Sequence, residues 1–231
     1  MKCLAHFHCV WQYVKSVLAL KEAIRIAPDN GKTYGYLGTS LHNWALTDGV
    51  SSAAALALRQ EAAAYLDQAI LHGFSPPVIL HSRGSVALDS NQFEVAVAYL
   101  AESLKMCAEA RAVRGYIDLP PSDLVDEQRT YNQLASAYSN LGQLENALAA
   151  YQAGLRLDPE SIFLHTNIAN LYRQLQRDDL ARAHMREGIQ IAENHGLGQR
   201  APTALLNNLG LLELDHGNAQ AAMILFERVS E

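Results

Sequence analysis

The chain has 231 residues and a formal net charge of −6, from 24 acidic and 18 basic residues. This acidic balance argues against a dedicated nucleic-acid binder or a binder of anionic membranes. No apolar run approaches the ~20 residues that a helix needs to span a bilayer. Only three cysteines and no Asn-x-Ser/Thr sequon are present, so we expect no disulfide framework and a reducing, cytoplasmic location.

Alanine and leucine supply 69 of the 231 residues. This favours an all-helical chain, because these side chains lose little conformational freedom when they enter a helix. The predicted elements are helices joined by short turns. In chain order they cover residues 3–27, 31–46, 52–72, 77–90, 93–113, 122–141, 144–157, 161–175, 178–195, 201–216 and 219–230.

Two segments align without a gap at a period of 34 residues, Gln128 to Ser161 and Ile162 to His195. Small residues such as Ala135 and Ala169 fall at one fixed offset, where two helices can approach closely. Large residues recur at the neighbouring offsets, and a glycine or proline follows each helix of the first segment. In the two segments the recurring positions are Leu134, Ala135, Tyr138, Leu141, Gly142, Ala147, Tyr151, Gly154 and Pro159, then Ile168, Ala169, Tyr172, Leu175, Ala181, Met185 and Gly188.

This pattern resembles the tetratricopeptide repeat, in which W-x2-L-G-x2-Y is followed by A-x3-F and then by proline. The resemblance implies an all-α, right-handed superhelical solenoid of antiparallel helix pairs, with the first helix of each pair on the concave face. We predict one array over residues 1–231. Its segments are a partial first repeat (1–30), two repeats with insertions (31–76 and 77–127), and the repeats 128–161, 162–202 and 203–231.

Three insertions interrupt the spacing. Residues 51–58 should lengthen a second helix, residues 107–122 should form a helix extension and a loop, and residues 195–202 a helix overrun and a turn. The loop within 107–122 is either a plain connector or a protruding contact loop. The apolar Met223, Phe226 and Val229 close the last repeat without a polar capping face. We therefore expect a piece of a longer array, or ends that a partner covers.

No catalytic constellation is evident, so we predict neither an enzyme nor a cofactor. Gly196 to Ala201 formally matches G-x-G-x-x-A but follows a predicted helix instead of a strand, which favours a helix-terminating turn over a dinucleotide site. The N-terminal residues include zinc-ligand types, but a frayed terminal helix is favoured over a zinc site and no metal is predicted. Those residues are Cys3, His6, His8 and Cys9.

Carboxamide side chains recur on the predicted concave face, where their donors and acceptors can pair with a peptide backbone. At one offset the last three repeats carry Gln133, Asn167 and Asn208. The offset resembles the asparagine ladder in the repeat array of O-linked N-acetylglucosamine transferase, and the segment 204–214 resembles kinesin light chain repeats. The predicted peptide-binding residues are Gln133, Ser136, Asn140, Asn167, Asn170, Arg173 and Asn208.

The leading hypothesis is a protein-interaction scaffold that holds an extended peptide or a partner protein in this groove. One alternative is the non-catalytic, substrate-recruiting arm of a larger transferase-type enzyme, and another is a structural oligomer that stacks end to end. Some tetratricopeptide-repeat proteins clamp the C-terminal carboxylate of a partner with Lys and Arg at set repeat positions. We do not predict this mode here, because those positions hold His81, Ser85, Asn132 and Gln133.

Overall fold

The computed structural model describes residues 2–114, 125–196 and 203–230, and these residues form eleven α-helices and no strand. The all-helical prediction is confirmed. The helices are α1 (Lys2–Ile26), α2 (Gly31–Ala45), α3 (Ser52–Leu71), α4 (Pro77–Asp89), α5 (Phe93–Arg114), α6 (Glu127–Asn140), α7 (Leu144–Leu157), α8 (Ile162–Gln174), α9 (Asp178–Asn194), α10 (Thr203–Asp215) and α11 (Ala219–Ser230).

The chain divides into two compact units, Met1–Ala137 and Tyr138–Glu231. In the first unit α2 packs on α3 and α4 on α5, and α1 covers α2. Val17 of α1 joins Leu37 and Leu41 of α2 and Leu66 of α3 in one hydrophobic core, which extends to Ile79 of α4. A glycine at position 38 allows this close packing, because a Cβ there would lie only 2.6 Å from Leu66 Cγ.

In the second unit α8 packs on α9 and α10 packs on α11, and further contacts join α7 to α8 and α9 to α10. The core side chains include Ile168, Met185 and Leu205, all fully buried. A Cβ on Gly188 would lie 2.5 Å from Leu205 Cδ1, and one on Gly210 would lie 2.6 Å from the Phe226 ring. These glycines are therefore points of close helix approach, as the repeat pattern predicts for Gly188. The division of the whole chain into one array of six segments stays a prediction.

Four of the turns inside helix pairs share one backbone geometry. Asn91, Gly142, Gln176 and Gly217 each stand two residues before the second helix of a pair, and each has a positive φ between 55° and 78°. At each turn the next residue donates its N–H to a carbonyl five residues earlier, as Gln143 does to Tyr138 at 2.9 Å. Glycine adopts this conformation without a side-chain penalty, whereas Gln176 holds it against that penalty.

Where both are described, the observed helix ends differ from the predicted ones by one residue at most. The predicted start of α6 at residue 122 lies outside the described residues, but residues 125 and 126 are not helical and α6 begins at Glu127, so the prediction of helix at those two residues is wrong. The cause is Asp126, whose Oδ1 accepts the N–H of Arg129 at 3.0 Å and so caps the helix.

Two of the three predicted insertions lengthen helices as expected. Helix α3 has 20 residues and α5 has 22, against 14 in α7. Helix α9 also runs on, to Asn194, and Gly196 turns the chain with a φ of 60°. The predicted loop up to residue 122 and the rest of the G-x-G-x-x-A match lie outside the described residues.

Candidate functional site

The first helices of the second unit carry one continuous surface stripe each. On α8 the stripe holds Phe163, Asn167 and Asn170, and on α10 it holds Asn208 and Leu211. Residues spaced by three or four positions lie on one helix face. The apolar positions between them, such as Ile168 and Leu209, are buried. Each stripe is therefore the face that turns away from the hydrophobic core.

A hydrogen bond between two carboxamides joins the stripes. Asn208 Nδ2 donates to Asn170 Oδ1 at 3.0 Å. Further along both helices, Arg173 Nη2 on α8 donates to Asp215 Oδ2 on α10 at 3.4 Å. Since both contacts advance together from α8 to α10, the two helices run in the same direction. Three of the seven predicted site residues thus lie together on one surface, which we call the α8–α10 surface.

The carboxamide pair keeps hydrogen-bonding capacity. Within the described part of the chain, Asn170 and Asn208 make no side-chain hydrogen bond besides the one that joins them. Among the described residues, both N–H groups of Asn170 and the carbonyl oxygen of Asn208 are therefore left for a partner. A peptide backbone offers the matching carbonyl and N–H groups.

The other predicted site residues have different surroundings. Asn167 is half-buried on α8 and Asn140 is exposed at the end of α6, and both make contacts of their own. Gln133 and Ser136 belong to the first unit. There the Ser85 hydroxyl donates to Gln133 Oε1 at 2.7 Å, so the Gln133 acceptor is already engaged.

Two apolar side chains frame the α8–α10 surface, and neither is among the seven predicted site residues. Phe163 is 61% exposed and Leu211 is 48% exposed. Leu211 was visible in the sequence as an apolar residue at the offset of Asn170. Phe163 could have been found by the same alignment, because it stands where the preceding repeat has Arg129. The surface therefore combines carboxamides with apolar side chains.

A separate polar pocket lies in the first unit between α2, α4 and α6. It is lined by Thr39, Asn43, His81, Asp126 and Arg129, among others. The inner wall is closed by hydrogen bonds, since His81 Nδ1 lies 2.8 Å from Thr130 Oγ1 and the Thr39 hydroxyl donates to Ser82 at 3.3 Å. Burial, assisted by the charge of Arg129, lowers the pKa of His81 to about 4. The imidazole is therefore neutral near pH 7 and belongs to the wall.

Two histidines meet behind the α8–α10 surface. His184 Nδ1 on α9 lies 3.1 Å from His165 Nδ1 on α8, so one of the two nitrogens must carry the proton. His165 Nε2 lies 3.2 Å from the Pro159 carbonyl, which fixes the proton of His165 on Nε2 and makes His184 the donor. Burial, and next the neighbouring His165, lower the pKa of His184. This pair braces α8 against α9 and does not face the surface.

Among the described residues no group of three or more His, Cys, Asp or Glu side chains could hold a metal ion. The side chains of Cys3, His6, His8 and Cys9 lie outside the described part. A helix both long enough and apolar enough to cross a membrane does not occur in residues 2–114, 125–196 or 203–230.

Comparison with known proteins agrees with the repeat pattern. The family model for the tetratricopeptide repeat matches residues 128–161 and 164–195. These are the two segments that align at a period of 34 residues. A search of curated protein sequences gives no significant match.

Solved structures share the fold at low sequence identity. MamA from Desulfovibrio magneticus RS-1 is 20% identical, with a TM-score of 0.63 over 82% of this chain and 92% of that one. YrrB, described as a TPR protein with an unusual peptide-binding site, is 15% identical, with a TM-score of 0.59 over 91% and 90% of the two chains. BtubC (BKLC) from P. vanneervenii is 17% identical, with a TM-score of 0.66 over 98% and 90%.

Proposed function

We propose that this chain, a tetratricopeptide-repeat protein, is an interaction scaffold that binds an extended segment of a partner protein on its α8–α10 surface. The peptide-binding site named for YrrB makes such a role reasonable for a chain of this fold. The partner's backbone would lie across the carboxamide pair, and the remaining predicted residue of α8, Asn167, would line the same path. In this role the chain binds its partner reversibly and does not need to modify it chemically.

One observation carries the proposal, the hydrogen bond from Asn208 Nδ2 to Asn170 Oδ1 at 3.0 Å. The bond fixes both side chains in place, so little rotamer freedom is lost when a partner binds. The groups that stay open are a double donor on Asn170 and an acceptor on Asn208. They match the alternating groups of an extended backbone. Each such hydrogen bond contributes about 0.5–1.5 kcal/mol, so several contacts must act together.

The test is affinity capture with two matched double variants. The first, Asn170→Ala with Asn208→Ala, removes the carboxamide pair of the α8–α10 surface. The control, Gln190→Ala with Asn194→Ala, removes an exposed hydrogen-bonded carboxamide pair elsewhere, on α9, where Gln190 Nε2 donates to Asn194 Oδ1 at 3.0 Å. We expect proteins retained by the wild type to be lost with the first variant and kept with the control. Equal retention by both variants would reject the proposal.

Self-association is a second candidate function, and one specific surface favours it. A groove on the last helix pair is lined by apolar side chains, namely Leu214, Ala219, Ala222, Met223 and Phe226, together with Glu227. Met223 and the neighbouring Ile224 are about half exposed. Light scattering over a concentration series should then show a mass that rises with concentration and a Met223→Lys variant that stays monomeric. A monomeric wild type at every concentration would exclude this function.

A further inference from the structure

We infer that the α8–α10 surface selects uncharged segments that carry two apolar side chains about six residues apart. This inference rests on the proposed peptide-binding function and specifies which partners that function would accept. The two selecting residues are Phe163 and Leu211.

These two exposed residues differ from their equivalents because their side chains are large and apolar. Phe163 is 61% exposed on α8, and the equivalent repeat position holds Arg129 on α6 and Ala204 on α10. Leu211 is 48% exposed on α10, and the equivalent repeat position holds Asn170 on α8 and Ser136 on α6. Burying large apolar side chains contributes about 25 cal/mol per Å². A partner that covers both therefore gains binding energy that the carboxamides alone cannot supply.

The parallel course of α8 and α10 sets the spacing of the two residues. A helix rises 1.5 Å per residue, which places Phe163 about 10 Å before Asn170 on α8, and Leu211 about 4–5 Å beyond Asn208 on α10. For an axis separation of about 10 Å, as between neighbouring helices, the two apolar side chains would be about 18 Å apart. An extended chain spans that distance in five to six residues at about 3.3 Å each.

Of the two possible spacings, five and six residues, the alternation of side chains in an extended partner favours six. In an extended chain, residues separated by an even number of positions point to the same face. Six residues therefore bring both apolar side chains of the partner onto Phe163 and Leu211, while the backbone between them crosses Asn170 and Asn208. A partner helix would need about twelve residues to span the same 18 Å, at 1.5 Å each, so the six-residue spacing is specific to an extended chain.

The charges of the surface favour an uncharged segment. The formal charges on α8 and α10 are Arg173, Glu213 and Asp215. Arg173 is paired with Asp215, and the carboxylate of Glu213 is buried and accepts from Arg182 of α9 at 2.8 Å. With these charges compensated, a charged partner gains no counter-ion. Affinity should accordingly depend little on salt.

The test is an NMR titration of the full chain with three blocked synthetic peptides. The first has leucine at its first and seventh positions and serine between them, the second has leucine at its first and fourth positions, and the third contains only serine. The first peptide should shift the resonances of Phe163, Leu211 and the carboxamides of Asn170 and Asn208. It should bind at least about threefold more tightly than the second peptide, whose leucines point to opposite faces.

Three variants locate the selectivity. Phe163→Ser and Leu211→Ser should each weaken binding of the first peptide about five- to tenfold, as expected for the loss of one apolar contact. Leu180→Ser is the matched control, because Leu180 is 45% exposed on α9 and should leave the affinity unchanged.

The outcomes separate this inference from the proposed function. If all three peptides bind equally and shift only Asn170 and Asn208, the scaffold function stands and the apolar selection is wrong. Equal binding of the two leucine peptides would reject the six-residue spacing. If no peptide shifts any resonance of the α8–α10 surface, the inference falls, while affinity capture with the carboxamide variants still decides the scaffold function.

Discussion

Arg182 on α9 donates through Nε to Oε1 of Glu213 on α10 at 2.8 Å, and this ion pair joins two consecutive helix pairs. Glu213 is only 6% exposed, and its second oxygen accepts from Asn218 Nδ2 at 2.7 Å. The hydrogen bond from Asn218, followed by that from Arg182, holds the pKa of Glu213 below its usual range. The carboxylate stays charged in the fold, and α10 is fixed both to α9 and to the turn before α11.

Removing the guanidinium should destabilise the second unit. Arg182→Ala leaves the buried Glu213 carboxylate without its charged partner, and we expect the free energy of unfolding to fall by about 2–3 kcal/mol. Arg186 is the control, because it is exposed and lies 3.9 Å from the same oxygen. Urea unfolding of both variants measures the difference. An Arg186→Ala variant as unstable as Arg182→Ala would contradict the assignment.

The turn at Gln176 stores strain that glycine would relieve. Gln176 has a φ of 55° at the position where Gly142 has 72°. A left-handed conformation costs a residue with a side chain about 1–2 kcal/mol, so Gln176→Gly should raise the unfolding free energy by about 1 kcal/mol. The reverse change, Gly142→Ala, should lower it by a similar amount, since no atom lies within 4 Å of the added Cβ and only the backbone is strained. Chemical denaturation would test both, and two changes of the same sign would refute the argument.

The repeat pattern located the helices, but it was less informative where a polar residue takes an apolar position. Arg83 stands at the offset that Leu134 and Ile168 occupy in later repeats. The structure buries Arg83 all the same, with Nε donating to Asp67 Oδ1 at 2.7 Å and the guanidinium 5.2 Å from the Tyr99 ring centre. A long side chain can bury its stem while its charge reaches a partner near the surface. Periodicity predicts that the position is buried, but not which partner accepts the charge.

Replacing Arg83 with the leucine that is usual at this repeat position tests how the buried arginine affects stability. Arg83 Nη1 is buried and has no hydrogen-bond partner among the described residues, whereas the side chain of Asp67 is 46% exposed and stays hydrated without the arginine. Arg83→Leu should therefore leave the unfolding free energy unchanged or raise it by about 1 kcal/mol. Arg83→Ala should lower it by about 2 kcal/mol, because it also leaves a cavity. Calorimetry on both variants provides the measurement, and a leucine variant less stable than the alanine variant would be the contrary result.

Stability should fall in mild acid because two histidines are held neutral. Burial lowers the pKa of His81 to about 4 and that of His184 below its usual value. The unfolded chain then binds more protons than the folded one between pH 6.5 and 4, so stability is full above pH 6.5 and is lost as the pH falls. For His81 the loss is about 3 kcal/mol, at 1.36 kcal/mol per pKa unit. His81→Gln should flatten the decline between pH 7 and 4, measured by urea unfolding. An equal decline in wild type and variant would rule out the contribution of His81.

The candidate site was only partly predictable, for a physical reason. Periodicity identifies the face of each helix, and it placed Asn170, Arg173 and Asn208 correctly on the first helices. It does not give the distance between side chains on different helices, so it could not distinguish the hydrogen-bonded Asn170–Asn208 pair from Gln133, which is engaged by Ser85. The prediction of helix before Glu127 was wrong for a similar reason, because the cap formed by Asp126 is a local contact that hydrophobic spacing does not encode.

Photocrosslinking tests most directly whether partners bind the α8–α10 surface. A photoreactive amino acid is placed at position 211 in one variant and at position 180 on α9 in another, where the native leucines are similarly exposed. Under irradiation with its captured partner, the chain should form a covalent adduct from position 211 and none from position 180. Adducts from position 180 alone, or with equal yield from both positions, would contradict the account.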